Sequence, residues 1–172
     1  IIVRARDGSE IVALGPEYGE WLGAEEIPQV MKDAMVSVED HRFYSHIGLD
    51  PLGLMRALYN AFSEDRQVSA TSTITQQLAR NAYNLKQEAV KRNETTIQRK
   101  MVEAFLARRI EDRYSKKEIL NFYLNRIYFG SGFYGIRSAS LGYYGKEPMD
   151  LTAAECASIV TLIKNPNGRS PL

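Results

Sequence analysis

At 172 residues the chain can close one compact domain around a real core, and it is too short for two full ones. An apolar share of 44% beside 25% charged residues excludes general disorder. The net charge is only +1 but unevenly spread: residues 80–117 hold 11 Lys and Arg against 5 Asp and Glu, leaving 11 against 16 elsewhere. A basic middle third suits phosphate, anionic lipid headgroups or nucleic acid, and equally the solvated faces of ordinary helices.

The single cysteine, Cys156, lies in the apolar run AAECASIVTLI. It rules out an intramolecular disulfide and reads as a small core residue, with no ligand spacing around it for a metal or an activated thiol. No run of about 18 apolar residues offers a spanning helix. Ile1 at the start points to an excised segment, so any membrane anchor is expected outside this sequence.

In chain order, IIVRAR and SEIVALG flank Asp7-Gly8 and predict a short hairpin with a tight turn. After Pro28, apolar residues at Ile27, Val30, Met31, Ala34, Met35 and Val38 predict a one-faced helix. Glu39 ends its apolar stripe, where partial desolvation favours a role as base; pairing with a nearby arginine explains it as well. Asp50-Pro51 starts a second helix, with Leu52, Leu54, Met55, Leu58, Tyr59 and Phe62 making a broad apolar surface for the core or for lipid. A polar loop follows, and then a helix capped at Ser72 or Thr73 with Gln76 completing a capping box. Its Thr73, Thr75, Gln76, Gln77, Arg80 and Asn81 form a dense polar face. Such a face is either solvated or satisfied by a ligand rich in acceptors.

Tyr83 to Thr95 lacks a strong period and reads as a flexible connection. The helix from about Thr96 to Arg109 is apolar nearly all round and is expected in the middle of the domain, with Glu103 drawn inward and Arg99 one turn before it. Ser115 with Glu118, and Thr152 with Glu155, predict two further capped helices. Between them FGSGFYGI supplies turn glycines; it is not a nucleotide loop, because no strand precedes it.

Two glutamates thus stand in contrasting settings, and paired carboxylates are what glycosyl transfer requires around a transition state of oxocarbenium character. Arg80, Arg99 and Lys100 beside Glu103 suit a diphosphate leaving group rather than a neutral hydroxyl.

The blocks EDHRFYSHIG, STITQQLARN, RKMVEAFLAR, KKEILNFYLNRIYFG and GFYGIRSAS, followed by LTAAECASIV, together resemble the peptidoglycan glycosyltransferases of family 51. These occur as monofunctional enzymes and as the transferase domain of class A penicillin-binding proteins. The resemblance implies a mainly α, lysozyme-like helical domain over residues 1–172, with a small membrane-facing jaw subdomain and mobile loop at about 49–95. It implies polymerisation of lipid II into β-1,4-linked strands with inversion and loss of a polyprenyl diphosphate, at the extracytoplasmic face of the bacterial cell membrane. Glu39 then matches the general base and Glu103 the second glutamate, on the diphosphate side. Arg80, Arg99 and Lys100 match diphosphate binders, while Asp40, Phe43, His46, Thr73, Gln77, Asn81 and Asn125 match positions that shape or line the cleft. Implied partners are lipid II, the growing glycan strand, the bilayer and other cell-wall synthesis proteins, with no nucleic acid. No cofactor is required by the sequence, and a divalent cation, Mg2+ or Mn2+, could assist at the diphosphate.

Two positions depart from the family pattern. Ala70 or Thr71 stands where glycine is usual, stiffening the loop's hinge, and Arg80 stands where lysine is usual, keeping charge but not geometry. A lysozyme-type hydrolase or lytic transglycosylase of peptidoglycan, and a non-enzymatic cell-wall-binding module, are the competing readings. The first has no need of three cations, and the second none of two carboxylates.

Overall fold

A computed structural model describes residues 2–4, 10–13, 17–53, 55 and 72–164. Among these, helices dominate, and four of them begin with the same local device. Thr73, Thr95, Ser115 and Thr152 each accept a hydrogen bond from the backbone N–H three residues on, while the Gln or Glu there bonds back to the cap. These capping boxes open α2 (Ile74–Ala82), α4 (Thr96–Glu111), α5 (Lys116–Arg126) and α7 (Ala153–Leu162). Three further helices are α1 (Gln29–Glu39), α3 (Leu85–Lys91) and α6 (Ile136–Tyr144), and residues 51–53 and 55 are helical as well.

α1 packs on α7, and α2 lies between α4 and α5. The core is assembled from one face of α1 (Met31, Met35, Val36), from Ile74 and Leu78 of α2, and from Ile119, Leu120, Tyr123 and Leu124 of α5. α6 adds Ile136 and Ala139, and α7 adds Cys156, Ile159 and Val160. Each of the large apolar side chains sealed there contributes roughly 1.5–3 kcal/mol. Val36, rather than Val38, completes the buried stripe of α1.

Strands are few. β1 (Ile2–Arg4) pairs antiparallel with β2 (Glu10–Ala13), and β3 (Glu17–Tyr18) pairs in parallel with β4 (Phe133–Tyr134). The expected Asp7-Gly8 turn lies outside the described residues, as do Leu54, Leu58, Tyr59 and Phe62, the loop after them with Ala70 and Thr71, and the last eight residues. Gly135 opens α6 at φ +81°, where an added Cβ would meet the Asn125 carbonyl oxygen at 2.5 Å, so this turn requires glycine.

Two expectations fail. Residues 83–95 are not a plain connection: they contain α3, bracketed by Asn84 and Asn93 in left-handed conformation, with Ala89 buried and Glu88 paired to Lys91 and Arg92. A helix this short has too few positions to display a period and is held by its neighbours. α4, in turn, is not central. Only Glu103 and Ala107 are fully buried on it, whereas Ile97, Met101 and Phe105 are 74%, 68% and 62% exposed. An apolar circumference does not say which side turns inward; here the side carrying the charged Glu103 does, because its partners lie there. α2, which falls within the stretch expected as a jaw, packs into the common core. No helix of the described residues is long and apolar enough to cross a membrane.

The cap of α7 carries a pH dependence. Lys146 Nζ donates to Glu155 at 2.7 Å, and this bond, helped by the Thr152 N–H and hydroxyl, lowers the Glu155 carboxyl from its ordinary 4.5 to about 2. A depressed folded value means that the stabilisation is complete above 4.5 and fades as pH falls toward 2. Glu155→Gln is therefore expected to lower the melting temperature above about pH 5 and to match the parent near pH 2, as thermal unfolding across that range would show.

Candidate active site

α1 ends at Glu39, and its carboxylate reaches α2: Gln77 Nε2 donates to Glu39 Oε2 at 2.9 Å. The other oxygen, Oε1, is buried and has no hydrogen-bond partner among the described residues. Gln77 is itself pinned, its Oε1 accepting from the Tyr123 hydroxyl at 3.0 Å. That phenol is held well above its ordinary value, first by burial and then by the negative charges of Glu39 and Asp40, against the opposing charge of Arg80. Tyr123 therefore stays a donor and fixes which way the Gln77 amide faces.

One turn further along α2, Arg80 points to the second carboxylate. Glu103 is fully buried, and three cations surround it: Lys100 Nζ at 2.7 Å, Arg99 Nε at 3.4 Å and Arg80 Nη1 at 3.9 Å. The Arg99 contact is an ion pair without hydrogen-bond alignment, so Arg99 Nε, Arg80 Nε and Glu103 Oε1 are buried atoms lacking a hydrogen-bond partner among the described residues. Such atoms are costly unless something else satisfies them.

Ser72 joins the two carboxylates. Its carbonyl accepts from Gln77 Nε2 at 3.3 Å and its hydroxyl from Lys100 Nζ at 2.5 Å. A hydrogen-bonded chain thus runs from Glu39 through Gln77, Ser72 and Lys100 to Glu103. The carboxylates belong to one site.

Other expected cleft residues build its frame. Asp40, buried after α1, accepts from the Ile74 N–H at 3.0 Å and bonds His46 Nε2 at 3.0 Å, tying α1 to the first turn of α2. Thr73 caps α2 and donates its hydroxyl to the Gly48 carbonyl at 2.7 Å. Gly48, at φ +89°, runs close against Ala107 of α4. Phe43 is fully buried in the core beneath the Lys116 ammonium, and Asn125 clamps the backbone N–H and carbonyl of Leu22 at 2.8 and 3.0 Å. Both are buried parts of the domain's frame. Asn81 is half-buried on α2 beside Arg80.

Sequence reasoning missed Ser72 as a bridge and Tyr123 as a site residue. Tyr123 stood in the interior face of its helix, and the signal that could have found it was its hydroxyl, which needs a partner when buried. Among the described residues no cluster of three His, Cys, Asp or Glu could hold a metal. Glu103 is already occupied by cations, so this donor set does not fit a divalent ion held by protein alone.

A family model described as transglycosylase matches residues 7–172. The chain belongs to the transglycosylase family. The transglycosylase domain is 40% identical over 170 residues to penicillin-binding protein 1A of Vibrio cholerae, covering 99% of this chain and 20% of that protein. It is 39% identical over 167 residues to penicillin-binding protein 1F of Bacillus subtilis, at 97% and 22% coverage, and 40% identical over 170 residues to penicillin-binding protein 1A of Escherichia coli, at 99% and 19%. The transglycosylase domain thus spans about a fifth of the length of these relatives. All five motif blocks named from the sequence fall within the match.

Proposed function

We propose that this domain polymerises lipid II into β-1,4-linked glycan strands, with inversion at the anomeric carbon and release of undecaprenyl diphosphate. The 4-hydroxyl of the incoming disaccharide attacks C1 of the growing strand and gives its proton to Glu39. The C1–O bond breaks, and its electron pair leaves on the diphosphate, which Arg80, Arg99 and Lys100 receive. Glu103 acts through these cations by holding them together. The observation that carries the reading is the pairing, along one hydrogen-bonded chain, of a carboxylate with an unpartnered oxygen and a carboxylate ringed by cations. A glycan hydrolase would use the first and leave the second idle. A divalent cation, if one takes part, would be carried by the diphosphate itself.

Incubation of the purified domain with lipid II tests this: longer glycan is expected, whereas shortening of added polymer with lipid II untouched would replace transfer by cleavage. No turnover of either substrate would leave a binding module.

The lipid tail places the domain at the outer surface of the cell membrane, beside other cell-wall synthesis proteins. Support comes from exposed apolar side chains on two adjoining segments. Leu49 and Leu52 share a recess with Arg108 of α4, and α4 also exposes Met101 and Phe105. This surface, within and beside the jaw region, would meet the bilayer with Arg108 near the headgroups. Leu52→Asp combined with Met101→Asp is expected to reduce co-sedimentation with anionic vesicles at an unchanged melting temperature. Undiminished vesicle binding would remove this face from the membrane.

A further inference from the structure

The hydrogen bonds around Gln77 leave its amide one orientation. Nε2 donates to Glu39 Oε2 at 2.9 Å and to the Ser72 carbonyl at 3.3 Å, while Oε1 accepts from the Tyr123 hydroxyl at 3.0 Å. Turned over, the amide would set its carbonyl oxygen against a carboxylate and a second carbonyl, neither of which can donate. Gln77 is 7% and Tyr123 1% exposed, so water has little access to take the place of the hydroxyl. The side chains come from three helices, Glu39 from α1, Gln77 from α2 and Tyr123 from α5, and α2 packs directly on α5. Tyr123 is too deeply buried to touch a ligand, and its hydroxyl keeps its proton, so it reaches the chemistry only through Gln77. The two oxygens of Glu39 are made unequal: Oε2 is engaged, whereas Oε1 is buried without a hydrogen-bond partner among the described residues.

We propose that Tyr123 is a positioning residue which, through Gln77, commits Glu39 to take the acceptor proton on Oε1. This rests on the glycosyl transfer and the base described above. The O–H bond of the acceptor breaks as its oxygen joins C1, the proton passes to Oε1, and the electron pair of the old C1–O bond leaves on the diphosphate. A carboxylate held at one oxygen presents the other in a fixed direction, and proton transfer requires that direction to be within hydrogen-bond reach of the hydroxyl. Without the phenol, Gln77 Oε1 is a buried acceptor lacking a donor, and the side chain gains by turning away to find one. Glu39 then loses its hold at Oε2 and swings, with no change among the cations that bind the diphosphate.

Steady-state polymerisation of lipid II by Tyr123→Phe, which removes one oxygen and keeps the ring, is the test. A fall in kcat of about 10- to 100-fold is expected, with KM within about twofold of the parent. Gln77→Met, which removes the amide, is expected to lose kcat to a similar degree, and the double variant to turn over no more slowly than Gln77→Met alone. Losses that multiply in the double variant would make Tyr123 a packing residue and overturn the proposal. So would a raised KM at parental kcat, which would make the pair a binding element. Where Tyr123→Phe does not fold, Gln77→Met is decisive by the same two constants, and parental kcat in it refutes the proposal. If Glu39→Gln also turns over like the parent, the base itself is misassigned; if Glu39→Gln loses turnover while Tyr123→Phe does not, only the role of Tyr123 is excluded.

Discussion

Glu39→Gln is expected to reduce polymerisation of lipid II by about two to four orders of magnitude while leaving lipid II affinity within about threefold of the parent. The substitution preserves side-chain shape, and a glutamine carbonyl can still accept from Gln77 Nε2, as Glu39 Oε2 does. What it removes is a basic oxygen at the other position, the one that lies buried and without a partner. Ground-state binding draws on the cations, which are untouched, so the loss should appear in kcat rather than in KM. Turnover within about tenfold of the parent would show that another group takes the proton.

The second large effect is expected at Glu103. Breaking a fully buried ion pair costs roughly 3–5 kcal/mol, but Arg80, Arg99 and Lys100 keep 18%, 22% and 36% of their side chains exposed, which moderates it. Glu103→Gln should cost about 2–3 kcal/mol and lower the melting temperature by roughly 5–10 °C. Its effect on ligands runs the other way. Removing a negative charge from among the cations should tighten inorganic pyrophosphate binding while turnover falls, because cations that repel one another no longer hold the geometry the transition state needs. Calorimetric titration of pyrophosphate beside thermal unfolding checks both signs. Weaker pyrophosphate binding with an unchanged melting temperature would mean that Glu103 does not organise the cluster.

The glutamates, the three cations and three capped helix starts were legible because each is written in local sequence: a capping box needs four residues, and a carboxylate beside basic residues is visible within one turn. What joins them was not. Ser72 reads as a candidate cap, and only folding shows its carbonyl meeting Gln77 and its hydroxyl meeting Lys100. α3 escaped notice because its order comes from Ala89 packing between neighbours rather than from its own pattern. α4 misled for the converse reason. Its apolar residues are real, yet burial is decided by where the partners of Glu103 lie, and Ile97, Met101 and Phe105 are left outside. Phe43 and Asn125, which their motif blocks put among the cleft positions, are buried in the frame of the domain, Phe43 in the core and Asn125 on the Leu22 backbone.

The capping box at Thr73 sets more than the length of α2. Gln77 and Arg80 both owe their direction to the residue at which the helix begins, and that residue is held by Gln76 and by the Gly48 carbonyl. A start displaced by one position would rotate the helix by roughly 100°. The amide would then swing away from Glu39 and the guanidinium from Glu103 in a single movement. The angular phase of nine residues is thereby indexed to one threonine hydroxyl, on the residue next to the Ser72 bridge.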